Sequence, residues 1–401
     1  MNNLISWLIS LSIISIPFYL IRLSILGIPT TLHEVIVWIS FLVVLLSSAT
    51  KNEFKKVNKL IWIGSLLIII GALVGFYISP DKIASAGLIK GYLITPFVLG
   101  LSVFLANKRK LIVKSLIISG LIVAISVYWD LITNNILSDG RVTGIYNLDS
   151  GASPNYISLY LAPIASFILA NMIFSLPKKN WQNALLKSLV FVLLFGAIAA
   201  SQSRAGIFVV LFIGLIAIYI LLKRNIKYKA IINCSMLITI IILLFGVIKI
   251  ASPDLSATPD SGRISSSNNI RFEIWKTTFQ DIIPKYWATG VGMGQYQNIF
   301  IALTKNRVNY PEYIAPKALT PHNVFLSAWM NLGIIGLTGL LMVILIVFRK
   351  WFYLSKVSIN SHNTYFIILA SILLLGLFDT TIFKNDLGAV FWIAIFMINS
   401  E

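Results

Sequence analysis

Apolar residues run along this chain in long blocks separated by short polar breaks, as in Leu60–Ile78 and Ile231–Ile250. A helix rising 1.5 Å per residue needs about 20 such residues to cross roughly 30 Å of hydrocarbon. On that measure the blocks predict about twelve membrane-spanning helices. The first six are Leu4–Ile21, Val35–Ser48, Leu60–Ile78, Gly91–Ala106, Ser115–Leu131 and Ile157–Ser175. The second half adds Ser188–Gln202, Gly206–Leu222, Ile231–Ile250, Val324–Phe348, Thr364–Asp379 and Leu387–Asn399. Lipid offers no partner for an unpaired backbone N–H or C=O, so the spanning element has to be a helix or a closed barrel. The alternation of an outer-membrane barrel is absent, and the fold class expected is an all-α membrane protein.

Composition supports this picture. Of 401 residues, 58% are hydrophobic and 11% charged, and mean hydropathy is +0.88; a soluble domain carries roughly a quarter charged residues. The net charge of +18 could suggest nucleic acid, but its distribution points elsewhere. With the amino terminus inside, the short inside loops 49–59, 107–114, 176–187, 223–229 and 349–363 hold 18 of the 32 Lys and Arg and one acid, Glu53. This is the positive-inside pattern. It predicts both termini in the cytoplasm, and the start of the chain, lacking a basic run and a cleavage site, reads as an uncleaved helix. The single cysteine, Cys234, falls inside a span.

The chain thus reads as one integral membrane unit. Spans one to nine occupy 1–250, an external segment occupies 251–322, and spans ten to twelve occupy 323–401. The external segment opens with a polar, serine-rich stretch. After it Phe272, Trp275, Phe279 and Ile282 recur at helical spacing, with Asn268 or Asn269 as cap, which predicts an amphipathic helix resting on the bundle or in the interface. The glycine run Gly290–Gly294 follows no strand and reads as a turn. Thr320 as N-cap and Pro321 at the first helical position would put His322 in the first turn of a helix running to Phe348. The helix dipole would there disfavour imidazolium. Such a histidine serves either as a general base or to satisfy an interface hydrogen bond, and the residues alone leave both open. Gly333, Gly336 and Gly339 suggest close helix packing.

Arg204, in a short outer turn, and Arg271, at the start of the amphipathic helix, are guanidinium groups suited to phosphate oxygens. Snorkelling to headgroups is the plainer role for either alone. Arg141 and Asn155 are weaker substrate-binding candidates, with a turn role favoured for both; Asn323 would orient an acceptor or cap the helix. Asp379 closes the eleventh span without an identified partner, and His33 and His362 receive no role. No cluster of His, Cys, Asp or Glu has metal-ligand spacing.

His322-Asn323, nine residues, Gly333, two residues and Gly336 together resemble the H-[NSQ]-x9-G-x-x-[GTY] signature of the bacterial O-antigen ligase family. The resemblance implies a twelve-span, GT-C-type glycosyltransferase of the bacterial inner membrane, needing no metal or cofactor. Such an enzyme moves a glycan from undecaprenyl diphosphate to an acceptor hydroxyl at the outer face, with inversion. It places the catalytic histidine on His322 and the essential arginines on Arg204 and Arg271. The partners implied are the lipid-linked donor, a glycan, lipid or other hydroxyl acceptor, and the bilayer, with no nucleic acid. A polysaccharide polymerase of the same superfamily is the nearest alternative. A lipid-linked oligosaccharide flippase is more distant, because the middle of the spans is almost free of charge.

Topology is directly testable. With Cys234 replaced by alanine, cysteines at Ser265 and Ser355 should label with an impermeant thiol reagent in intact cells only at position 265; labelling at 355 would invert the orientation.

Overall fold

The structure, a computed structural model, describes residues 2–25, 28–47, 53–148, 153–175, 181–223, 267–308, 310–355 and 362–399. The expected ninth span, Ile231–Ile250, and the serine-rich start of the external segment lie outside the described residues. The chain begins with α1 (Asn2–Ile14), a 3-10 turn (Ile16–Leu20) and an antiparallel hairpin of β1 (Arg22–Ile25) and β2 (Ile28–Thr31). It continues with α2 (Leu32–Leu45), α3 (Lys59–Ile78), α4 (Lys82–Ala106), α5 (Arg109–Ile132) and α6 (Asn155–Ser175). Next come α7 (Trp181–Ala200) and α8 (Arg204–Lys223), then α9 (Ser267–Thr277) and α10 (Tyr296–Thr304) in the segment before Val324. The chain closes with α11 (Val324–Ser355), α12 (His362–Gly376) and α13 (Asn385–Asn399).

Six described helices are long and apolar enough to cross a membrane: α3, α4, α5, α6, α8 and α11. Five shorter apolar helices fall on the other described blocks. Many outward side chains are themselves apolar, among them Trp7, Leu66, Ile125, Leu189, Leu211 and Leu345, as a lipid-facing surface requires. The protein is a helical membrane protein. Two details depart from the expected spans. The first helix ends at Ile14, because Pro17 supplies no N–H to an advancing helix and a 3-10 turn takes over. The Gly91–Ala106 block starts nine residues earlier than its apolar stretch, through a π-helical turn at Ile89–Ile94.

Helix α13 is buried at every position from Asp386 to Asn399, as expected of a helix apolar all round. It crosses α4 at Gly100, where a Cβ would come within 2.7 Å of the Trp392 backbone. The α3–α11 pair is closer still. A Cβ on Gly71 would lie 2.4 Å from the Leu332 carbonyl, and one on Gly339 would lie 2.5 Å from the Gly64 carbonyl. Gly336 and Gly339 therefore do the packing work expected of small residues.

Gly333 does something else. With φ +67° and ψ −174° it breaks α11, so the expected uninterrupted helix from His322 to Phe348 does not exist. The groups freed by the break are taken up by the segment before α11: the Val291 N–H donates to the Met330 carbonyl (2.8 Å) and the Ile334 N–H donates to the Ala288 carbonyl (3.0 Å). Met293 N–H reaches the Gly75 carbonyl of α3 at 3.3 Å. The glycine run Gly290–Gly294 is a turn as expected, and positive φ at Gly290 lets it approach within reach of the Met330 carbonyl.

Residues 267–318 form a folded cap with its own core of Ile270, Ile274, Ile282, Val291, Tyr296, Phe300 and Ile314. The amphipathic stripe differs from the expected one. Ile270, Ile274 and Ile282 are buried, while Phe272 and Phe279 face outward. A π-helical turn at Thr278–Ile282 shifts the phase of the helix after Thr277. The helix is described from Ser267, which places Asn268 and Asn269 in its first turn.

Gly333→Ala should destabilise the protein by at least about 1–3 kcal/mol, since an L residue is strained at this φ and its Cβ would sit 2.5 Å from the Ala288 carbonyl. Gly87→Ala, whose Cβ would meet nothing within 4 Å, should be neutral or stabilising. Thermal unfolding of the two variants in detergent checks this, and equal melting of G333A and the parent would contradict it.

Candidate functional site

Three segments meet at one end of the bundle: cap helix α9, the turn 317–323 before α11, and the turn 377–384 between α12 and α13. Trp275 of α9 donates its indole N–H to the Pro321 carbonyl at 2.8 Å. Thr380 Oγ1 donates to Thr320 Oγ1 (2.9 Å) and also lies 2.8 Å from Ser327 Oγ. Asn323 Nδ2 donates to the Leu377 carbonyl at 3.1 Å. These bonds hold His322 against Asp379.

The local structure around His322 differs from expectation. Helix α11 begins at Val324, and its N-cap is Asn323, whose Oδ1 accepts the N–H groups of Phe325 and Leu326 at 3.0 and 3.1 Å. Thr320 instead accepts from the His322 N–H. His322 stands just outside the helix with φ +47°, so the argument from the first-turn dipole does not apply to it. A non-glycine residue in the left-handed region carries backbone strain, which surrounding structure has to impose.

The histidine ring has two unlike nitrogens. Nε2 lies 3.0 Å from the Lys317 carbonyl; a carbonyl only accepts, so Nε2 carries the donated hydrogen. Nδ1 is buried with no hydrogen-bond partner, and Asp379 Oδ1 faces it at 3.9 Å, beyond hydrogen-bond length. A neutral ring fixed in this way presents its bare lone pair at Nδ1.

Charge converges on Asp379. Burial pushes its carboxyl up, but His322, Lys384 and Arg271 outweigh burial and hold it well below the usual carboxylate range. Burial would lower Lys384, yet Asp379, Tyr156 and Asp386 keep it above its ordinary value. The Lys384 ammonium sits 3.4 Å above the Tyr156 ring. Arg271 is pulled below its usual value by burial, partly countered by Asp379, and its Nε is buried without a hydrogen-bond partner. Asp379 thus faces Lys384, Arg271 and His322, and Asp386 adds a second carboxyl beside Lys384.

Of the residues singled out from sequence, His322, Arg271 and Asp379 come together directly. Arg204 opens α8, is exposed and has no ion-pair partner among the described residues. Gly206, one half-turn on, packs on Ser158 of α6, where a Cβ would lie 2.6 Å from that side chain. Asn155 and Tyr156 head the same helix, and Tyr156 is the residue there that meets Lys384. Arg141 is taken up locally, with its Nε and a terminal nitrogen 2.8 and 2.5 Å from Asp139 Oδ2. That loop is pinned by Gln202, which donates to the Gly140 carbonyl at 3.1 Å. Arg141 therefore fits the turn role better than the substrate role. His33 is buried elsewhere, its Nδ1 3.0 Å from Ser15 Oγ. Lys384 was not singled out from sequence; its signal is a lysine in a short polar break between two apolar spans. Among the described residues no group of three His, Cys, Asp or Glu is placed to hold a metal ion.

No curated protein matches the chain. Residues 189–341 match the family model described as O-Antigen ligase, Wzy_C. The matched stretch contains Arg204, Arg271, His322, Asn323 and the helix break at Gly333, and over it the chain is similar to the O-antigen ligase family.

Proposed function

We propose that the protein transfers a glycan from undecaprenyl diphosphate to an acceptor hydroxyl at the outer face of the bacterial inner membrane. The observation that carries this reading is the buried, unpartnered Nδ1 of His322, which Asp379 faces at 3.9 Å, while Arg271, its own Nε buried and unpartnered, acts on the same carboxylate. An acceptor hydroxyl supplies the donor that Nδ1 lacks. As its oxygen bonds to the anomeric carbon, its proton passes to Nδ1. The bond from the anomeric carbon to the phosphate oxygen breaks on the opposite face, and its electron pair leaves with the diphosphate. The result is inversion.

Arg271 and Arg204 oppose the charge that develops on the departing diphosphate, the electrostatic term that usually dominates such catalysis. Asp379 is a positioning residue. Once Nδ1 is protonated, the ring has two donors, one held by the Lys317 carbonyl and the other facing the carboxylate, which stabilises the imidazolium. The position of Lys384 beside Asp379 keeps that carboxylate ionised while Tyr156 covers the ammonium.

Purified protein supplied with undecaprenyl-diphosphate glycan and a panel of acceptors tests the reading, and product length separates single transfer from polymerisation. His322→Ala should lower turnover roughly 10²–10⁴-fold with donor binding retained. Arg204→Lys and Arg271→Lys should both be strongly impaired, because lysine keeps the charge without the planar fork. Their double variant should be far less than additive in log rate if both act on one leaving group. Activity should survive EDTA. Full activity of both lysine variants, or near-normal turnover by H322A, would overturn the assignment.

A further inference from the structure

The junction between the cap and α3 holds a cavity of roughly 400 Å³, lined by Ile78 and Pro80 from the bundle and by Tyr286, Thr289, Gln295 and Asn298 from the cap. Its volume falls within the roughly 300–1,000 Å³ usual for small-ligand sites. Val291 and Ile299 complete an apolar wall, and the Tyr286 phenol is the sole ionisable side chain in the lining.

The polar groups are arranged as a supported set. Gln295 is buried; its Nε2 donates to Ser79 Oγ at 3.2 Å and its Oε1 accepts from Asn298 Nδ2 at 3.0 Å. This fixes the exposed Asn298 amide while leaving its carbonyl oxygen and second N–H unspent. The Tyr286 hydroxyl has no hydrogen-bond partner among the described residues, and Thr289, whose own hydrogen goes to the Gly290 carbonyl at 3.0 Å, keeps its lone pairs. A fixed amide, two hydroxyl oxygens and an aromatic face match a ligand with hydroxyls on its rim and an apolar C–H face. They offer no counter-charge to a phosphate or carboxylate. A hydrocarbon chain would leave the amide and hydroxyls unpaired, at a cost.

The cavity is coupled to the reaction centre. The turn that floors it is bonded to the Met330 carbonyl and to Asn331, whose Oδ1 accepts from the Gly294 N–H at 3.0 Å. Met330 stands six helical residues, about 9 Å, beyond the start of α11 that follows His322. We propose that this cavity is a subsite for a neutral sugar ring of the glycan, one or more residues away from the ring that reacts. The proposal rests on the glycan-transfer reading.

The test uses the full-length protein in detergent and the oligosaccharide released by mild acid from the host's own lipid-linked donor, labelled with a neutral fluorophore. Fluorescence anisotropy should show saturable binding. Asn298→Ala should weaken it roughly 3–10-fold, the value of one or two hydrogen bonds, and Asn298→Ala with Tyr286→Phe should weaken it further. Both are mild changes, since Asn298 is exposed and phenylalanine keeps the packed ring. H322A should bind as the parent does. No saturable binding by the parent protein, parent-like binding by both pocket variants, or displacement by dodecyl chains in place of glycan would overturn the proposal. Loss of binding in the pocket variants alongside undiminished turnover in H322A would support the subsite and remove the catalytic assignment instead.

Discussion

Helix α11 cannot pass through Gly333 as a helix, and most of the architecture outside the bundle depends on how that break is filled. An interrupted helix exposes backbone donors and acceptors that have to be satisfied. Here the cap satisfies them, through Val291 to Met330 and Ala288 to Ile334. The same glycine-rich turn reaches α3 at Gly75, which is itself pressed against the Asn331 carbonyl. Cap, α3 and α11 are therefore joined at a point where glycine is required on all three. A side chain at Gly71, Gly290 or Gly333 would push backbone against backbone, with no flexible atom to give way.

That junction sets the end of the bundle where His322 and Asp379 meet. With the cap held at Gly333, α9 lies over the turn before α11, and Trp275 fixes Pro321 while Lys317 takes the Nε2 hydrogen of His322. The turn 377–384 arrives from the other side, hung on Thr320 and Asn323. Asp379 then meets Arg271, His322 and Lys384 in a buried setting where each charge acts over a low dielectric. No one segment contains the site. The strained backbone of His322 is held by bonds from two neighbouring segments.

The membrane class and nearly all the described helices were legible as apolar blocks, because hydrocarbon imposes a length and composition that sequence records directly. His322 was singled out by its spacing to Gly333 and Gly336, and Arg204 and Arg271 by the cost of a charge beside an apolar span; the fold brings His322 and Arg271, but not Arg204, to Asp379. The break at Gly333 was not legible, since a glycine inside an apolar helix looks the same whether it packs or interrupts. The cap choice went to Asn323 over Thr320 because Asn323 can bond Phe325 and Leu326 while also reaching Leu377, a tertiary contact. On α9 the inward positions are Ile270 and Ile274 in place of Phe272, and the π turn at Thr278–Ile282 shifts the phase only of the residues after Thr277, without a sequence mark. Asp379 and Lys384 gain their meaning only when the turn that holds them folds beside His322.

The central claim is that residues 288–296 are stitched into the bundle and are not a surface loop. Amide hydrogen exchange of the parent protein in detergent reads this directly, because Gly290, Val291, Met293, Gly294 and Gln295 all donate in the folded protein. The account predicts that a peptide covering this stretch exchanges as slowly as the buried helices α11 and α13. Exchange at the rate of an open loop would contradict it, and would detach the cap, and Arg271 with it, from His322.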